Sequence, residues 1–144
     1  AVDQLIEANT DYLMTLDLLE LDVDKVTATL CTLVPVTDQQ RLRSGVWLLL
    51  IAQAGADPEF AEVLHRLNTN VTDGLRELLA GMARQGLLHP SRDIDTEVRR
   101  LHAIIDGLAV QSMTDRAVTS EADVRTVIRG EVLALAQPCG VRVR

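Results

Sequence analysis

Between Asp57 and Gly86 the apolar residues Phe60, Leu64, Leu67, Val71, Leu75, Leu78 and Met82 recur in steps of four, three, four, four, three and four. That is the spacing of one helical face. Asp57 is placed to accept the free amide hydrogens of the first turn, and Pro58 stands where its missing N–H costs nothing. Gly86 suits the stop, because the residue after a helix often takes a positive φ. The predicted helix is roughly 40 Å long, and every other helix is expected to pack on it.

The rest of the chain repeats the pattern in shorter pieces. Val2 to about Glu20 places Leu5, Ile6, Tyr12, Leu13, Leu16 and Leu19 on one stripe. Asp22 caps a short helix from Val23 to Val34, with Val26, Leu30 and Leu33 as its face and Pro35 as its end. Thr37 with Gln40 forms a capping box that opens a helix to about Ala54. In it Val46 to Ala52 runs without a polar break, which predicts a helix surrounded by others. Asp93 or Asp95 caps a helix to about Met113, with Ile94, Val98, Leu101, Ile105 and Leu108 in its stripe. Ser120 with Asp123 opens a last one, faced by Val124, Val127, Ile128, Val132 and Leu135 and ended by Pro138. The expectation is an all-α fold, a six-helix bundle occupying 1–144 as one domain.

Composition narrows this picture. Hydrophobic residues make up 47% of the 144, yet aromatics only 2%, namely Tyr12, Trp47 and Phe60. A sheet of this size normally draws on more aromatic and β-branched residues in period-two runs. The net charge is −7, with Lys25 the single lysine, and an acidic domain repels a phosphate backbone. Cys31 and Cys139 form no CxxC. The longest apolar run, Val46 to Ala52, is seven residues, far short of a membrane span. No membrane association and a cytoplasmic location are expected. The chain opens on Ala1 rather than Met, consistent with processing or with a piece of a longer protein.

Catalytic motifs are absent. There is no G-x-S-x-G elbow, no phosphate-binding glycine pattern and no H-E-x-x-H, and Glu62 to His65 is a lone E-x-x-H where a bundle metal site needs two. No catalytic residue, metal or cofactor is expected, and the chain is read as a non-enzyme. A cavity is the remaining possibility. Trp47 is either a core filler or an aromatic pocket wall. Asn68, Asn70 and Thr72 interrupt the long helix beside its apolar stripe, as a solvated face or as a hydrogen-bonding point. His102 and Gln111 are further polar candidates. Met14, Cys31 and Met82 are soft side chains able to line the same space or simply pack. The ligand candidates are Met14, Trp47, Leu50, Phe60, Leu64, Asn68, Val71, His102 and Gln111.

The last two helices carry more apolar surface than an outer layer needs. Gly107 sits mid-helix, where glycine costs ~1 kcal/mol relative to alanine, and close approach of another helix is one reason to keep it. Ile104, Ile105, Gly107, Leu108, Val124, Val127, Ile128 and Leu135 are therefore candidates for a twofold four-helix interface; internal core is the alternative.

In order along the chain come Leu33-Val34-Pro35-Val36-Thr37-Asp38, then Val46-Trp47-Leu48, and Ala56-Asp57-Pro58-Glu59-Phe60-Ala61. Leu75-Arg76-Glu77-Leu78-Leu79, Gly86-Leu87-Leu88 and Ile104-Ile105-Asp106-Gly107-Leu108 follow. This series resembles the carboxy-terminal domain of TetR-family transcriptional regulators, in the BetI-like branch, from about Leu30 to Leu135. The resemblance implies a cytoplasmic homodimer, most often a repressor, that pairs through its last two helices and encloses a pocket for a small apolar or amphipathic effector. It implies that 1–20 is the linker helix, 23–85 the core helices and 93–136 the dimer helices. Operator DNA is reached only through an amino-terminal helix-turn-helix domain, for which this chain has no segment. A choline ligand does not follow, since a quaternary-ammonium cage needs several convergent aromatics. Two other readings stay open: a helical homodimeric scaffold or small-molecule binder without a DNA role, and an enzyme site assembled from His102, Asp106 and Cys31.

Overall fold

Each helix starts at the side chain that caps it. The computed structural model describes residues 17–117 and 119–139, and all regular structure among them is helical. Five helices are seen: α1 (Val23–Cys31), α2 (Asp38–Ala54), α3 (Pro58–Arg84), α4 (Ile94–Thr114) and α5 (Glu121–Leu135). Asp22, Thr37, Asp57, Asp93 and Ser120 are the N-caps. At Thr37 and Ser120 the capping box closes in both directions, through Gln40 and Asp123. Gly86 has φ +74° and ends the α3 segment as expected.

Four expectations change. The expected helix from Val2 to Glu20 lies mostly outside the described residues. Its last four positions form a turn, in which the Asp17 carboxylate accepts the N–H of Leu19. The next helix ends at Cys31 rather than Val34. The N–H groups of Thr32, Leu33 and Val34 bond three residues back, tightening the chain into a turn ahead of Pro35.

The third change concerns α2. Of its apolar run only Leu50 is buried; Leu42 is 81% exposed, Leu49 65% and Ile51 43%. This helix packs mainly on α3, with a smaller contact to α4. An unbroken apolar run shows that a helix has hydrophobic residues all round. It does not show that other helices exist to cover them.

The fourth concerns α3, which is central only in its second half. Gly74, Leu75, Leu78, Leu79, Gly81 and Met82 are buried, whereas Phe60 is exposed and Leu64, Leu67 and Val71 are half-buried. It carries α2 on one side and α4 on another, while α1 lies against α5. The core gathers Val26, Leu30 and Val34 with Leu75, Leu78, Leu79 and Met82. Val98, Leu101, Ile105, Val124, Ile128, Val132 and Leu135 complete it. Truncating a fully covered leucine such as Leu79 to alanine costs about 3 kcal/mol.

Polar ties fix the helix ends. Gln85 accepts the Leu21 N–H at 2.7 Å and donates to the Leu18 carbonyl at 2.7 Å, fastening 17–22 to the end of α3. Gly81 lies beneath this crossing, where an added Cβ would stand 3.1 Å from Leu21 Cδ1. A buried Glu97 accepts from Arg92 at 2.7 Å and from Arg100 at 2.8 Å. Arg100 also pairs with Glu131 at 3.0 Å, joining α4 to α5.

Candidate functional site

The α2 cap sets the first wall of a cavity. Gln40 Oε1 accepts the N–H groups of Val36 and Thr37, each at 3.0 Å, and this fixes the rotation at which α2 begins. Gln40, Arg43, Ser44 and Trp47 then fall on one face. They look across at Leu67, Asn68 and Val71 of α3 and at His102, Ile105, Asp106 and Ala109 of α4. The turn residues Thr32, Leu33 and Pro35 complete the lining of a cavity of about 380 Å³. That turn is stitched to α4, because the buried Ser112 hydroxyl donates to the Pro35 carbonyl while Arg41 Nε donates to the Ser112 carbonyl at 2.9 Å.

Chemistry within the cavity centres on three groups. His102 has Nδ1 3.4 Å from Thr72 Oγ1 and Nε2 3.6 Å from Asp106 Oδ2. The second distance is an ion-pair approach, beyond a hydrogen bond. Burial pushes the Asp106 carboxyl above its ordinary value, and His102 works against that shift. Arg43, on the facing helix, has no ion-pair partner among the described residues. Both His102 nitrogens face groups other than Ser44, so the three polar residues Ser44, His102 and Asp106 do not form a nucleophile–base pair.

Of the ligand candidates, Trp47, Asn68, Val71 and His102 share this cavity. Leu50 is buried on α2 outside the lining, while Phe60 and Leu64 lie earlier on α3 and the exposed Gln111 further along α4. Met14 lies outside the described residues. Arg43 and Ser44 were not anticipated from the sequence as lining groups, and Asp106 was named only in the enzyme alternative, whose Cys31 is not in this lining. Counting one turn back from Trp47 and one turn on from His102 would have found them. Cys31 lines a separate, smaller cleft of about 210 Å³ with Glu121 and Arg125. Burial raises its thiol, Arg125 opposes and Glu121 adds to the rise, so the sulfur is not an activated thiolate.

The interface candidates divide. Ile105, Leu108, Val124, Ile128 and Leu135 are covered by this chain's own core, Ile104 is half-buried, and Gly107 and Val127 are exposed. A Cβ added at Gly107 or Gly130 would meet nothing within 4 Å among the described residues. Among the described residues, no group of three His, Cys, Asp or Glu side chains could hold a metal ion, and no helix is long and apolar enough to cross a membrane.

Comparison with known proteins places this geometry. Residues 23–137 match the family model of the BetI-type transcriptional repressor C-terminal domain. The HTH-type transcriptional regulator PksA of Bacillus subtilis is 29% identical over 112 residues, which is 78% of this chain and 53% of PksA. The chain thus spans about half the length of that curated relative. The crystal structure of a transcriptional regulator from Rhodococcus sp. Rha1 superposes with a TM-score of 0.76 at 18% identity, covering 95% of this chain and 82% of the other. At that identity the likeness is one of fold.

Proposed function

From the premise that this chain belongs to the TetR family, as a BetI-type C-terminal domain, we propose that it senses a small molecule and pairs a transcriptional regulator. The observation that carries this is the cavity walled by Trp47, Asn68, Val71 and His102 on three different helices. A cleft of this size, lined about equally by apolar and polar side chains, suits a small amphipathic ligand.

The route from ligand to output follows α3. Its middle lines the cavity through Leu67, Asn68 and Val71, and its end holds Leu18 and Leu21 through Gln85. A ligand that prefers one placement of α3 therefore biases the segment before α1. In the full regulator that segment leads to a helix-turn-helix domain that reads operator DNA in the cytoplasm, most simply as a repressor. The ligand must bind the two placements unequally, because equal affinity shifts nothing. Binding rather than catalysis is favoured by the His102 nitrogens, which face Thr72 and Asp106.

For dimerisation, the surface in view is the outer side of α4 and α5: Ile104, Gly107 and Val127, with Gly130 and the 47% exposed Leu133 beside them. Small residues there permit close helix approach, and a twofold axis would bring two helices from each copy together.

Trp47 is the single tryptophan, so its emission reports this cavity alone. A broad small-molecule screen by thermal shift is expected to yield ligands that also change Trp47 emission. Thermal stabilisation with Trp47 emission unmoved across the hits would place the ligand elsewhere.

A further inference from the structure

We propose that the cavity ligand is an amphipathic carboxylic acid, its carboxylate paired with Arg43 at the rim and its apolar body against Trp47, Val71 and Ile105. This rests on the reading of the cavity as a ligand site.

The charges around the cavity carry the argument. The chain has 21 acidic residues against 14 Lys and Arg, so an arginine has carboxylates to spare. The neighbouring cations use them: Arg41 approaches Asp38 at 3.5 Å, and Arg116 approaches the same oxygen at 2.8 Å. Arg43 has no such partner among the described residues, although it lines the cavity. A guanidinium is always charged and presents parallel N–H donors that match a carboxylate in a bidentate fork.

The opposite wall is weaker in charge. Asp106 is the only acid in the lining among the described residues, and His102 stands 3.6 Å from it. Its burial favours the neutral carboxyl. Arg43 is thus the charge in the lining with no counter-ion at hand among the described residues, and an anion is favoured beside it. A cationic ligand would meet Arg43, a single tryptophan ring, which is no cage, and only Asp106 as a counter-charge, already approached by His102. Between the polar rims, Leu33, Leu67, Val71 and Ile105 supply apolar wall for a chain or ring.

The test uses the 144-residue chain with decanoate, decanamide and decylamine, and the matched naphthyl acid, amide and amine. Trp47 emission and thermal shift are the readouts. In at least one series the acid is expected to bind roughly tenfold tighter than its amide, as a charge-assisted pair near the surface allows. Arg43→Gln, an exposed change that leaves the core untouched, should erase that difference and leave amide affinity unchanged. Val71→Phe, which keeps Trp47 the single tryptophan and is checked for helix content by circular dichroism, should abolish Trp47-reported binding of acid and amide alike. Amines or amides that bind as tightly as the acids in both series overturn the proposal and leave ligand sensing standing. So does an acid preference that survives Arg43→Gln. If no member of either series binds, the carboxylate proposal is wrong, and sensing is then judged by the broader screen alone.

Discussion

Gln85 Oε1 accepts the backbone N–H of Leu21 at 2.7 Å, across 64 positions of sequence. The same side chain donates to the Leu18 carbonyl, so one amide satisfies two backbone groups of a segment that has no helix of its own to do so. Gln85→Ala should lower stability by about 1.5 kcal/mol. It should also speed hydrogen exchange at the Leu21 amide well beyond the change elsewhere. Unchanged Leu21 protection in that variant would show that packing on Gly81, not Gln85, holds the crossing.

Gly107 offers a contrast between chain and dimer. Among the described residues nothing lies within 4 Å of a Cβ added there, and the residue is mid-helix in α4. Gly107→Ala should stabilise the dilute monomer by ~0.5–1 kcal/mol through helix propensity alone. Gly107→Leu should weaken self-association, read by sedimentation equilibrium, while the monomer stays folded. Self-association of full strength in the leucine variant would put the proposed interface on another face.

The Arg92–Glu97–Arg100 cluster is a third target. Glu97 is almost wholly covered and is the shared acceptor for both arginines. Glu97→Ala removes the buried acceptor of both guanidinium groups, leaving Arg100 only Glu131 and the well-covered Arg92 without its carboxylate, which should cost about 3 kcal/mol in urea unfolding. A cost near that of an exposed ion pair, below about 1 kcal/mol, would mean that water replaces the carboxylate without difficulty.

Acid sensitivity should arise in part at the helix starts. Hydrogen bonds from the Ser120 side chain and backbone hold Asp123 below its ordinary value of 3.8, and those from Thr96 do the same for Asp93. A carboxyl lowered on folding contributes stability above the unfolded pKa, and that contribution is lost as pH falls through the folded one. Helix content followed by circular dichroism should therefore decline below pH about 3.8, and Asp123→Asn should flatten that limb. Asp106 acts in the opposite sense. Its carboxyl is raised by burial, so its ionisation weakens the fold as pH rises through its folded value, and Asp106→Asn should remove that loss.

The helix boundaries were legible because they are local. Thr37 with Gln40, Asp57 with Pro58, Asp93, and Ser120 with Asp123 each settle a helix start within four residues. Which side of a helix is covered is a long-range matter, and there the sequence misled. Val46 to Ala52 reads as a buried run, yet Leu49 and Ile51 face outward because α3 covers one side of α2 only. The cavity was legible in part. Trp47 and His102 stand out by residue type, whereas Arg43 looks like an ordinary solvated charge until α2 and α4 are set facing each other. The covered members of the predicted interface, such as Val124 and Leu135, share a periodicity with the exposed Val127, and periodicity alone does not say which neighbour does the covering.

Packing along α3 changes at one point. Before Gly74 its apolar side chains are half-buried or exposed, and from Gly74 onward they are sealed. The cavity lies just on the loose side of that point, between α2 and the first half of α3. From this change in packing two cooperative units of unequal opening energy are expected, a firm one built on α1, α4, α5 and the end of α3, and a soft one that frays first. A bound molecule would serve as surrogate core for the soft unit, converting two unfolding transitions into one and transmitting occupancy as rigidity along a helix that is otherwise only half held.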